Sequence, residues 1–244
     1  MGTPNIMVQV KDSIAEIVLN RPEKRNAISN QMGEELVAAL DACSKDRKIK
    51  VIILRGEGKS FCAGRDLGEL SGSQETALQL YTEESILERI FLAMKSLRKP
   101  IIAATHGFTM GGGIGLLAMS HFVVAAEDAK FALPEINFGL FPLGVNAVLW
   151  QTIGPKKTLQ LALIGEQFDA EDALRMGLVD YTIPVNELIS KAWELAKKLS
   201  QKKDVALLAG IDAYNVLTEE DFRTNFKIFK LMLIPFILHK PKSE

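Results

Sequence analysis

Cysteine, tryptophan, tyrosine and histidine are all scarce in this chain of 244 residues, which has two Cys, two Trp, three Tyr and three His. Two cysteines, Cys43 and Cys62, cannot build a disulfide framework, and they lack the C-x-x-C spacing of a zinc or redox site. That usage fits a reducing cytosol. His106, His121 and His239 share no metal-ligand spacing, so each reads as a hydrogen-bonded or surface histidine and no metal site is expected. An excess of one charge is missing too. The 29 Lys+Arg and 30 Asp+Glu leave a formal charge of -1, without the basic excess or stripe of a nucleic-acid binder. Long apolar runs are absent as well. The most suspicious stretch, Leu231 to Leu238, is eight residues broken by Pro235, against the ~20 that a bilayer span needs. Met1-Gly2-Thr3-Pro4-Asn5 brings no basic start and no apolar signal core follows. A cytoplasmic protein with neither nucleic acid nor membrane as partner is expected.

What is present is a globular composition, 48% apolar and 24% charged, in an order that alternates strands and helices. Ile6 to Val10 and Ile14 to Leu19 read as two strands turned at Lys11-Asp12. A helix follows from about Asn30 with Ser29 as N-cap, burying Leu36, Ala39, Leu40 and Cys43 at i, i+3, i+4, i+7. Val51-Ile52-Ile53-Leu54, Ile101 to Ala104 and Phe122 to Ala126 are continuous runs, the pattern of parallel strands covered on both faces. A long helix over about 75–98 is stopped by Lys99-Pro100. Gly111-Gly112-Gly113 opens a short helix through Met119, and Phe131-Ala132-Leu133 is a short strand. From Leu143 the pattern turns helical. Asp169 caps a helix that Gly177 stops, Val179 to Ile183 could be a last strand, and three further helices follow over about 186–200, 204–217 and 218–238. The sequence therefore predicts an α/β core over 1–190, built of βαβ units, and a helical segment over 191–244 docked on it.

Gly58-Lys59-Ser60 imitates the end of a phosphate loop, but Ile53 stands where its first glycine is required. Two other loops are hard to explain by packing alone: Ser60-Phe61-Cys62-Ala63-Gly64-Arg65-Asp66-Leu67 and Gly107-Phe108-Thr109-Met110-Gly111-Gly112-Gly113. Each follows a buried strand at its carboxyl end, where open α/β sheets place ligands. Their small residues let backbone N–H groups approach a ligand. Aimed at one point, the two loops could polarise a carbonyl and hold an oxyanion.

Those loops, with Asn20-Arg21-Pro22-Glu23-Lys24-Arg25-Asn26-Ala27, Phe131-Ala132-Leu133-Pro134-Glu135-Ile136, Gly139-Leu140-Phe141-Pro142 and Asp172 to Val179, resemble the enoyl-CoA hydratase/isomerase (crotonase) family over roughly residues 5 to 190. The resemblance implies a crotonase-like spiral of ββα units that binds acyl-CoA thioesters, with coenzyme A as part of the substrate and no separate cofactor. It implies the backbone N–H groups of Arg65 and Gly112 as the oxyanion hole. Ala27, Ala63, Asp66, Leu67 and Gly111 would line the coenzyme A, and Lys24 and Arg25 would lie near its phosphates unless they form a solvated basic turn. It also implies a homotrimer or dimer of trimers, to which the apolar Phe226, Phe229, Leu231, Leu233 and Phe236 could contribute, unless they dock on the chain's own core.

Similar hydratases carry one glutamate two residues after the glycine triplet and another after the proline of the later loop. The second is present as Glu135. At the first stands Gly115, a lost catalytic position, and no Asp or Glu occurs from Phe108 to Val124. Glu135 is then the expected catalytic acid/base, its pKa raised by an acyl pocket walled by Phe138, Leu140 and Phe141. One carboxylate can take a proton at one carbon and return it at another. Isomerisation is therefore expected ahead of hydration, with a thioester-binding protein of weak activity as a further alternative. Gly115 is expected to face the same cavity as Glu135.

Overall fold

The computed structural model describes residues 4–70, 84–216, 218 and 224. Strands β1 (Ile6–Lys11) and β2 (Ile14–Leu19) form a hairpin with Ile6 opposite Leu19. Helix α1 (Asn30–Lys45) starts at Ser29, whose hydroxyl accepts the Met32 N–H at 3.1 Å, a cap worth roughly 1 kcal/mol. Met32, Leu36, Leu40 and Cys43 form its buried stripe. Then β3 (Val51–Gly56) is followed by short β4 (Ser60–Cys62), β5 (Ile101–Thr105) by β6 (Phe108–Met110), and β7 (Phe122–Ala126) by β8 (Lys130–Ala132). Each long strand thus hands the chain to a short strand in a second sheet.

The chain closes with β9 (Gln167–Asp169) in the short sheet and β10 (Tyr181–Ile183) in the long one. The sheet orders are β1-β2-β3-β5-β7-β10 and β4-β6-β8-β9. Among the described strand pairs only β1–β2 and β8–β9 are antiparallel. Between the strands lie α2 (Leu67–Leu70), α3 (Ile86–Ser96), α4 (Gly112–Ala118), α5 (Leu143–Ile153), α6 (Pro155–Ile164), α7 (Ala170–Met176) and α8 (Leu188–Ser200). This is the expected mixed α/β spiral.

The apolar runs are continuous because both faces of the long sheet are covered. Ile52, Leu54, Ile101 and Ala103 join the main core with Leu36, Leu40, Ile90 and Phe91. Their neighbours Val51, Ile53, Ile102 and Ala104 pack beneath Leu188, Ala192 and Ala196 of α8. Chain beyond residue 190 therefore covers one face of the core sheet, and the boundary expected at 190 falls inside a helix. Residues 204–216 are also helical. The expected helix over 218–238 and the set Phe226 to Phe236 lie outside the described residues, as does 71–83 of the expected long helix, of which α3 is the described part. Among the described residues no helix is long and apolar enough to cross a membrane.

Candidate active site

The two glycine-bearing loops meet. In the first, Ile28 donates its N–H to Gly64 O at 2.7 Å and accepts from Asp66 N at 3.0 Å. This is a parallel bridge between Ile28 and Arg65, in which the N–H of Arg65 itself points to the opposite side. On that side lies the second loop. A methyl group at Gly64 would sit 2.9 Å from Met110 O and 3.3 Å from Gly112 N, and one at Gly112 would sit 3.7 Å from Arg65 N. Gly64 also has φ +89°, so glycine is needed there for both conformation and space. The Gly112 N–H opens α4 and has no acceptor among the described residues. The two backbone donors are therefore neighbours.

Glu135 lies beside them. It belongs to the 3-10 turn Pro134–Phe138, closed by Gly139 at φ +70°. Its Oε1 comes so near the second loop that a methyl group at Gly111 would be 2.5 Å away, and Gly111 itself has φ +47°. Oε2 is buried and has no hydrogen-bond partner among the described residues. Burial raises the carboxyl pKa to about 7, since desolvation penalises the charged form. A carboxyl in that condition holds a proton loosely near neutrality, as a general acid/base must.

The structure corrects the view of Gly115 as a vacancy in the same cavity. A methyl group there would lie 2.3 Å from Cζ of Phe91 and within 3.2 Å of two further ring carbons. Phe91, on α3, is fully buried in the main core. Leu87, one turn earlier, lies against Gly112, 3.0 Å from where a methyl group there would stand. A glutamate at 115 has no room while that ring is present. The expected walls differ as well. Phe138 is 62% exposed and Leu140 is also exposed, because the end of the turn and the residues just past it face outward; Phe141 alone packs on the core.

The sequence profile of the enoyl-CoA hydratase/isomerase family matches residues 9–240. The chain belongs to this family. It is 37% identical over 207 residues to a probable enoyl-CoA hydratase of Bacillus subtilis, covering 83% of this chain and 78% of that one. It is 32% identical over 224 residues to the hydroxycinnamoyl-CoA hydratase-lyase of Pseudomonas fluorescens, covering 90% and 81%. The crystal structure of an enoyl-CoA hydratase from Bacillus anthracis superposes with a TM-score of 0.82 at 30% identity, over 97% of this chain and 92% of that one.

The residues that the family pattern assigns to coenzyme A gather around the first loop. Ala63 donates to Arg25 O at 2.9 Å, and Arg21 reaches Ala27 O at 2.6 Å and Asp66 Oδ2 at 3.2 Å. Asp66 Oδ1 accepts from Gly68 N, so this carboxylate is spent on holding the loop. Leu67 opens α2. Lys24 is exposed, and the exposed Arg25 places its guanidinium 5.8 Å from the centre of the Phe108 ring.

Four further residues escaped the sequence reading. Asn26 is buried and ties three chain segments, accepting from Arg21 N and donating to Glu57 O and Ser60 O. Glu88, next to Leu87, is a buried carboxylate on α3, and Asn146 is buried on α5 with an unpartnered Oδ1; both are polar positions inside amphipathic patterns, where polarity reads as exposure. Phe91 carries no local signal, since its importance lies in what it meets. The thiols do not join the site. Burial pushes Cys62 up to about 12 and raises Cys43. His121 is held neutral by burial and Lys95, its pKa lowered to about 4, while its Nδ1 accepts the Ile101 N–H.

Proposed function

We propose that the protein moves the double bond of an enoyl-CoA thioester, converting a 3-enoyl-CoA to the 2-enoyl-CoA. Glu135 as carboxylate takes a proton from C2. The electron pair of that C–H bond passes into the thioester carbonyl, whose oxygen becomes an enolate oxygen facing the N–H groups of Arg65 and Gly112. The resulting Glu135 carboxylic acid returns the proton at C4, which leaves the double bond between C2 and C3 and the carboxylate restored. The scheme requires no cofactor beyond the coenzyme A carried by the substrate. The observation that carries this reading is Glu135 itself, its Oε2 buried and without a partner among the described residues, its Oε1 set against Gly111, with an apolar ring where a second acid's side chain would stand.

Water addition is the second reading, favoured by the names of the B. subtilis and P. fluorescens relatives, both of which denote hydration. A thioester binder without catalysis is disfavoured, because an unpartnered buried polar atom costs about 1–3 kcal/mol and a binder gains nothing from it. The family pattern supports a homotrimer or dimer of trimers, and the two unpaired cysteines support a cytoplasmic location.

The test is incubation with 2-enoyl-, 3-enoyl- and 3-hydroxyacyl-CoAs, with products read by mass spectrometry. The 3-enoyl-CoA should be consumed faster than the 2-enoyl-CoA is hydrated. Glu135→Gln should abolish turnover while Glu88→Gln retains it; the opposite pattern would move the acid/base role to α3.

A further inference from the structure

Helices α3 and α4 cross over the two glycine positions that matter most. Leu87 lies against Gly112, and the Phe91 ring lies against Gly115, one helical turn later. The contact at 115 leaves no room for a side chain, since a methyl group there would lie 2.3 Å from the ring, whereas the one at 112 is tight, 3.0 Å from a leucine methyl. The ring is wholly buried, so this side of α4 presents carbon where a side chain projecting from residue 115 would otherwise reach. Water held in a protein interior needs two to four polar partners, and apolar surroundings stay dry.

We propose that the Phe91–Gly115 pair sets the partition between proton return and water addition, the ring occupying the place of a side chain at residue 115 so that α4 offers no group there that could hold water. The proposal rests on the double-bond-shift reading above and deepens it: specificity lies in a complementary pair, ring on α3 and glycine on α4, and neither position can change usefully alone. Gly115→Glu by itself drives its Cβ into the ring. Phe91→Ala by itself opens space in the main core but adds no polar group to hold a water there. Together they place a carboxylate in the vacated volume, where it can take the proton of a water adding at C3 while C2 is protonated by the other carboxyl.

The experiment measures two rates on the full chain for wild type, Phe91→Ala, Gly115→Glu and Phe91→Ala/Gly115→Glu: isomerisation of 3-enoyl-CoA and hydration of 2-enoyl-CoA. The double variant should raise the hydration-to-isomerisation ratio at least tenfold over wild type. Gly115→Glu alone should lower the melting temperature, and Phe91→Ala alone should leave the ratio within about threefold. Should the double variant not fold, Phe91→Ala/Gly115→Ser takes its place, its hydroxyl serving as the water-holding group, with a shift in the same direction. A folded double variant with an unchanged ratio overturns the proposal, as does a Gly115→Glu protein as stable as wild type. Hydration that already outruns isomerisation in wild type is visible before any variant is made. It overturns the single-glutamate reading, and this pairing with it.

Discussion

A carboxyl kept at about 7 by burial leaves two separate traces of itself, one in catalysis and one in stability. In the unfolded chain Glu135 releases its proton near the ordinary value of 4.5, and in the folded protein it holds it until about 7. Below about 4.5 both states are protonated and the group is neutral to folding. Between about 4.5 and 7 the unfolded state ionises first, so stability falls as pH rises, and above about 7 the loss is complete. The gap corresponds to at most about 3 kcal/mol. Glu135→Gln removes this charge, so the variant should melt above wild type at pH 8 and together with it near pH 4. An equal melting difference at both values would mean that burial does not govern this group. The catalytic trace has the opposite sense. With Glu135 as the proposed base, the active form is the ionised one, so wild-type kcat/KM should climb about tenfold per pH unit below about 7 and level off above it.

At the scale of elements, the Arg65 loop separates a side chain from its own backbone. The guanidinium donates to Ile28 O at 2.8 Å and to Asn30 Oδ1 at 2.6 Å, stitching the loop to the start of α1, while the peptide N–H faces Gly112. Arg65→Ala keeps the peptide donor and should retain turnover within a few fold. Arg65→Pro removes it and should cost roughly 100- to 1,000-fold, with circular dichroism checking the fold. A folded but inactive Arg65→Ala would put the chemistry on the guanidinium instead. The loop itself was legible in the sequence, as were the strands from which both loops spring. A run such as Val51 to Leu54 announces two covered faces, and Ser29, Asp169 and Gly177 mark helix ends by local chemistry. What was not legible depends on partners remote in sequence. Gly115 could be read as a missing glutamate, but that α3 would lay Phe91 on it follows only from the packing of α3 against α4. Phe138 and Leu140 looked like walls because they are apolar, but the end of the 3-10 turn and the residues just past it face outward. Strand β9 is three residues long, too short to show any period.

At the scale of the molecule, exposed apolar side chains occur on many elements, and three of them share one short helix. Leu159, Leu163 and Ile164 of α6 are all exposed, as is Trp150 near the end of α5. Helix α6 ends at Gly165, which lies so close to the Glu135 turn that a methyl group there would be 2.6 Å from Cγ2 of Ile136 and 3.0 Å from Nδ2 of Asn137. The exposed face of α6 and the exposed Phe138 therefore border the same turn that carries Glu135. On the proposed trimer reading this face of α6 would be the association surface, and a second copy seated there would press on the turn and hold Glu135 in place. Assembly and catalysis should then fail together. Light scattering should find wild type as a trimer or a pair of trimers at micromolar concentration, and Leu163→Asp should lower the mass and reduce turnover in parallel. Because residue 163 is exposed, the substitution costs the isolated fold little, which far-ultraviolet circular dichroism can verify. A wild type that is monomeric at these concentrations, or a Leu163→Asp monomer with full activity, would leave the Glu135 turn rigid by its own contacts and make α6 an ordinary solvent-facing helix.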